Sequence, residues 1–296
     1  MGATSRRGGA AVAAVLEAAD RLDALAVRYT ERQLFHEAAR ARIGDPSATR
    51  AAVLAHRSDR GRSRGLIDGA GAEVRPPQWP AGAEPDLARY GLTRVVAVGD
   101  PAIAHMLVEN AVPIEQSCVV VTLGADLPAD LLRALAAAPA PRVVVIVDCD
   151  RAALAGAVAW RHRLVAASGL SHLDVALVGL RPAQAWRLGL TRPPRAADPR
   201  SRLAGAVRAL RTARVVGARP ASARVSGPHR LGPDERAWLD AGGRVELAAV
   251  PPDRLIRAVA RQFAPGAARS PAGPVEPRGS ARHRGFLSPI EGGDRP

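Results

Sequence analysis

Apolar positions fall into two rhythms along the chain. Over roughly residues 11–72 they recur at helical spacing, with Val15, Leu22, Leu25, Ala26, Leu34 and Phe35 among them. The glycine- and proline-rich stretch 69–85 (GAGAEVRPPQWPAGAEP) interrupts this pattern and reads as a linker, placed at 73–90. From residue 93 onward short continuous apolar runs alternate with helical stretches. Strands are expected over 95–98, 118–122, 143–147 and 174–179, with helices over 102–110, 128–137 and 153–166 between them. Strands that are apolar throughout and separated by helices predict a parallel sheet covered on both faces. Farther on, the pattern predicts an arginine-rich helix over 202–214, a helix opened by Gly232-Pro233-Asp234, a strand over 244–250 and a helix over 254–263. The sequence thus divides into a flexible tip (1–10), a helical domain (11–72), the linker, an α/β domain (91–265) and a disordered basic tail (266–296).

The run 142–147 (RVVVIV) leads directly into Asp148-Cys149-Asp150. Side chains alternate along a strand, so the two carboxylates share one side and Cys149 takes the other. Paired carboxylates at the carboxyl end of a buried strand suit a hard divalent cation such as Mg²⁺, and that end of an open α/β sheet is where ligands bind. Asp100, at the end of the first strand, is a third candidate ligand. The simpler reading is that the acids cap the helix that follows.

Composition adds a second theme. The net charge is +14, with no lysine among the 42 basic residues. Such a charge suits a polyanion such as DNA or RNA, although an arginine excess beside so much alanine, glycine and proline is also the mark of a GC-rich coding sequence. Cys118 and Cys149 sit in apolar runs and read as buried free thiols of a reducing compartment. No apolar run approaches the ~18 residues of a membrane span. Glu17, Asp20 and Asp23 interrupt the first apolar stretch, which reads as an amphipathic helix and not a signal peptide; a cytoplasmic location is expected. The seven histidines show no metal-ligand spacing, and a Walker loop, a dinucleotide fingerprint and a G-x-S-x-G motif are all missing.

Several segments together resemble TOPRIM proteins, in particular the family of the topoisomerase VI A subunit and its meiotic double-strand-break relative. VVAVGDPAIAHML, VVVTLGADLPADLLRAL and VVVIVDCDRAALAG follow the family's strand–helix order and its "LVDCDPYG"-like element. DVALVGLRPAQAWRLGL is similar to its "WLGLRPSD" segment, and GRVELAAVPPDRL to its later "vEleAL" stretch. Upstream, RYTERQLFHEA resembles the helix that carries the family's Tyr-Tyr pair in a winged-helix domain, and RGRSRGLIDG the segment closing that domain. The resemblance spans roughly residues 20–265 and implies a TOPRIM sheet preceded by a winged-helix-like domain, Mg²⁺ as cofactor, DNA as partner, an ATPase partner subunit and a homodimer.

The departures narrow the function implied. His36 stands where the family has its nucleophilic tyrosine, after Phe35, and Tyr29 lies seven residues upstream. Gly99 stands at the family's metal-binding glutamate, with Asp100 one position later, and Arg151-Ala152-Ala153 replaces Pro-Tyr-Gly. The expectation is a DNA-binding, topoisomerase-like protein without tyrosine-mediated cleavage, acting as a binding or scaffold component. A Mg²⁺-dependent nuclease using Asp100, Asp148 and Asp150 and a non-catalytic α/β interaction protein are the alternatives. His36 is the candidate base or nucleophile. Candidate DNA contacts are Arg32, Arg40, Arg57, Arg60, Arg62 and Arg64; the last three, on alternate residues, would share one side of an extended loop.

Overall fold

The computed structural model describes residues 2–40, 45–58, 63–67, 73–75, 93–125, 127–168, 173–191 and 231–264. The expected helix over 202–214, most of the linker, the tail, and Arg60 and Arg62 lie outside the described residues.

Three helices come first: α1 (Gly2–Ala24), α2 (Glu31–Arg40) and α3 (Pro46–Ser58). Helix already runs through the stretch read as a flexible tip, since α1 starts at Gly2. Thr30 and Gln33 start α2 with a reciprocal capping box: the Gln33 N–H donates to Thr30 Oγ1 at 3.1 Å and the Thr30 N–H to Gln33 Oε1 at 3.0 Å. The three helices enclose their own core of Val15, Ala18, Leu22, Tyr29, Leu34 and Val53. Tyr29 is fully buried, and its hydroxyl donates to Asp23 and bonds Ser63. Burial, with Asp23 and Asp20 nearby, raises its ionisation above the ordinary tyrosine value despite the Ser63 bond. Tyr29 is therefore a core residue, not a reserve nucleophile.

The α/β part contains β1 (Arg94–Val98), α4 (Pro101–Glu109), α5 (Val112–Glu115), β2 (Val119–Thr122), α6 (Ala129–Ala137), β3 (Arg142–Ile146), α7 (Arg151–Ser168), β4 (Asp174–Leu177), α8 (Pro182–Arg187), α9 (Pro233–Asp240), a 3₁₀ turn (Leu247–Ala249) and α10 (Pro252–Phe263). The four strands form one sheet, ordered β2-β1-β3-β4 and parallel throughout. This is the expected α/β class. Val96, Val98, Val144 and Ile146 face a core with Ile103, Met106 and Leu107 of α4 and Leu255, Val259 and Phe263 of α10. Val95, Ala97, Val143 and Val145 face a second core with Leu131 and Leu135 of α6 and Ala157, Trp160 and Leu164 of α7. Both thiols are free and buried, and burial pushes each up to about 12. Among the described residues no helix is long and apolar enough to cross a membrane.

One expected strand is absent. Residues 244–250 contribute a single antiparallel bridge, Val245 to Cys149, and then wind into the 3₁₀ turn. The strand stops because the Leu247 N–H is taken by the Asp148 side chain at 2.7 Å, which removes a ladder donor. Of the linker, Val74 is described, and it exchanges hydrogen bonds with Thr122 at the sheet's β2 edge.

The helical and α/β parts touch directly. Arg28 and Asn110 exchange backbone–side-chain hydrogen bonds, and α2 lies against the 3₁₀ turn. Gly65 is held in a tight place beneath Tyr29: a Cβ there would stand 2.6 Å from the Tyr29 ring and 2.6 Å from the Val27 carbonyl oxygen. Backbone cannot rotate away as a side chain can. Gly65→Ala is expected to cost about 1–3 kcal/mol, read as a lower urea midpoint with an unchanged slope.

Candidate functional site

The strand order places β1 beside β3, while the chain leaves their carboxyl ends in opposite directions. After β1 it enters α4 on one face; after β3 it enters α7 on the other. That divergence is the switch point at which open α/β sheets bind ligands. Asp100 and Asp148 leave the sheet there.

Each acid already has a local partner. Asp100 is the N-cap of α4 and accepts the Ala102 N–H at 2.9 Å, with Pro101 at the first helical position. Asp150 accepts the Ala153 N–H at 2.7 Å at the start of α7. Asp148 caps no helix and instead holds the Leu247 N–H. Cys149, between the two acids, is fully buried and exchanges both backbone hydrogen bonds with Val245 at 2.9 and 3.0 Å. β3 itself ends at Ile146, before the Asp-Cys-Asp run.

Gly99 donates its N–H to the Ile146 carbonyl at 2.8 Å, and a Cβ there would come within 3.2 Å of Val147. A carboxylate at position 99 would therefore have to displace Val147, whereas Asp100 is free to turn to the helix end.

The tether on Leu247 brings in a fourth acid, Glu246. Burial raises the Asp148 carboxyl above the ordinary aspartate value; the Leu247 hydrogen bond opposes this, and Asp100, Asp150 and Glu246 add to it by charge repulsion. Four carboxylates from three chain segments therefore gather at this edge. Glu246 was not among the sequence candidates. Its signal was the GRVELAAV segment, whose importance depended on the Leu247–Asp148 contact, 99 positions apart in sequence.

Helix α2 supplies the opposite charge. Arg32 Nη2 lies 3.3 Å from Glu246 Oε1 and Nη1 lies 4.0 Å from Asp100 Oδ2. His36 Nε2 lies 3.2 Å from Glu246 Oε2. Arg40 donates to Glu37 and to the Ala249 carbonyl oxygen; burial lowers its guanidinium below the ordinary arginine value, with Glu37 opposing. The candidate DNA contacts thus separate. Arg32 reaches Asp100 and Glu246, Arg40 reaches the Ala249 carbonyl, and Arg57 pairs with Glu31 at 3.0 Å. Arg64 is exposed; its N–H goes to Asp23 and its carbonyl receives Arg28.

The carboxylate oxygens are hard donors of the type Mg²⁺ uses. In this arrangement they do not converge into a cage: Asp100 and Asp150 turn to helix ends, and Arg32 stands between Asp100 and Glu246. Among the described residues no group of three or more His, Cys, Asp or Glu side chains is placed to hold a metal ion. Comparison with protein-family models finds no match, and comparison with curated proteins finds none either.

Asp148 gives a pH test whose sign is fixed. A carboxyl raised in the folded state binds its proton more tightly there than when unfolded, so its ionisation costs stability as pH rises through the folded value. Asp148→Asn keeps an oxygen for the Leu247 N–H and removes the charge. The variant is expected to unfold at a higher denaturant midpoint than wild type at neutral pH, with the gap narrowing toward about pH 4. A gap that is constant with pH would show that the Asp148 charge carries no such penalty.

Proposed function

We propose that this chain is a nucleic-acid-binding protein of TOPRIM-like build, with a winged-helix-like helical part, that serves as a binding or scaffold component in DNA processing without tyrosine-mediated cleavage. One observation carries the reading. The resemblance covers two segments far apart in sequence, the helix bearing His36 and the stretch bearing Glu246, and these meet at 3.2 Å beside the acids that follow β1 and β3. A helix that in the resembled family carries the nucleophile thus lies over the acid-rich strand ends. The nucleophile's position holds an imidazole engaged with a carboxylate, which is unsuited to a phosphotyrosyl-type intermediate.

The charge of +14 supplies attraction for phosphate. With Arg32, Arg40 and Arg57 each paired within the chain, Arg60, Arg62 and Arg64 are the better candidates for DNA contact. A Mg²⁺-dependent nuclease is the second reading, favoured by the crowding of carboxylates around Asp148. An ATPase partner subunit and a homodimer would accompany the first reading.

Duplex DNA binding should weaken steeply from about 50 to 200 mM salt. Replacing Arg60, Arg62 and Arg64 together by alanine should reduce the log–log salt slope by up to roughly 3, equally for unrelated sequences, because phosphate contacts carry no base readout. Plasmid incubated with the protein and Mg²⁺ should remain supercoiled. Equal slopes for wild type and variant would remove the loop from the interface, and nicking that is lost in Asp148→Asn would favour the nuclease.

A further inference from the structure

Arg32, His36 and Arg40 are spaced four residues apart, so they form one stripe along α2. All three reach the same short segment of the α/β part: Arg32 and His36 meet Glu246, and Arg40 meets the Ala249 carbonyl. Beneath the stripe lie the acids of the strand ends. The N–H groups of Ala102, Leu247 and Ala153 each satisfy one carboxylate oxygen. What remains is like charge around a partly buried Asp148, and the counter-charge comes from the other domain of the same chain.

We infer that Arg32 is a built-in counter-ion that closes the acidic edge to external cations. One guanidinium spans Asp100 and Glu246, two carboxylates on separate segments, which is the service a divalent cation would otherwise perform. The Arg32 side chain is 60 % exposed, so its pairs are screened and individually weak. Salt therefore loosens the guanidinium, while α2 itself stays packed through Leu34 and Ala38 in the helical core. This inference does not depend on a nucleic-acid partner: it concerns the edge itself and stands or falls separately from DNA binding.

The test is a thermal melt of the full-length protein with and without about 10 mM Mg²⁺. Wild type should not shift. Arg32→Gln should melt higher in Mg²⁺ by about 2–5 °C, as binding to the folded state alone requires. Arg32→Lys, which keeps the charge, should not shift, and neither should Arg57→Gln, whose partner Glu31 lies away from the edge. A wild-type rise equal to that of Arg32→Gln, or no rise in Arg32→Gln, would overturn the counter-ion role.

Discussion

The pairing of β1 with β3 is the constraint on which the acidic edge depends. These strands are neighbours in space although α4, α5, β2 and α6 separate them in the chain. Their register sets Val98 opposite Ile146, and Gly99 extends the ladder by one more hydrogen bond to the Ile146 carbonyl. Asp100 and Asp148 thus emerge side by side without having been selected as a pair by any local motif. Both strands are apolar on both faces, so a slip in register would bury a carboxylate and expose a valine. The hydrophobic effect that closes the two cores is therefore what fixes the spacing of the charges.

Charge at that edge is balanced by dipoles first and by ions second. Backbone N–H groups at two helix starts and at the 3₁₀ turn take one oxygen from each of three aspartates. Such bonds cost little entropy because the backbone is already fixed. Ion pairs from α2 come from flexible side chains and are screened by water, so they add less. The same ordering separates what is permanent in the site, the sheet and its tethers, from what can be exchanged, the guanidinium lying over it.

Continuous apolar runs and period-3.6 patterns carried the fold because they record burial, and burial is local in sequence. The strands around Val95, Val121, Val144 and Val175 were legible for this reason. Asp148 and Asp150 were legible because they end such a strand. Residues 244–250 read as a strand for the same reason, yet a side-chain oxygen 99 positions upstream captured the Leu247 N–H and turned the chain. Glu246 and the long-range partners of Arg32 and Arg40 were hidden likewise: an arginine seeking a phosphate and an arginine seeking a distant oxygen of its own chain look identical in one dimension. The spacing of positions 32, 36 and 40 was the available clue, since three basic or titratable groups on one helix face need a common counterpart.

The Cys149–Val245 bridge has a consequence for biosynthesis. The face of the sheet bearing Val96, Val98, Val144 and Ile146 is covered by Leu255, Val259 and Phe263, which come from the far end of the described chain. Although β4 is complete at Leu177, that face cannot be sealed until α10 has left the ribosome. At ordinary translation speeds the interval is on the order of ten seconds. Throughout it a nascent chain holds a finished set of strands with one side only partly covered, by α4. Chaperone holding during elongation is thus favoured by the order in which the gene is read.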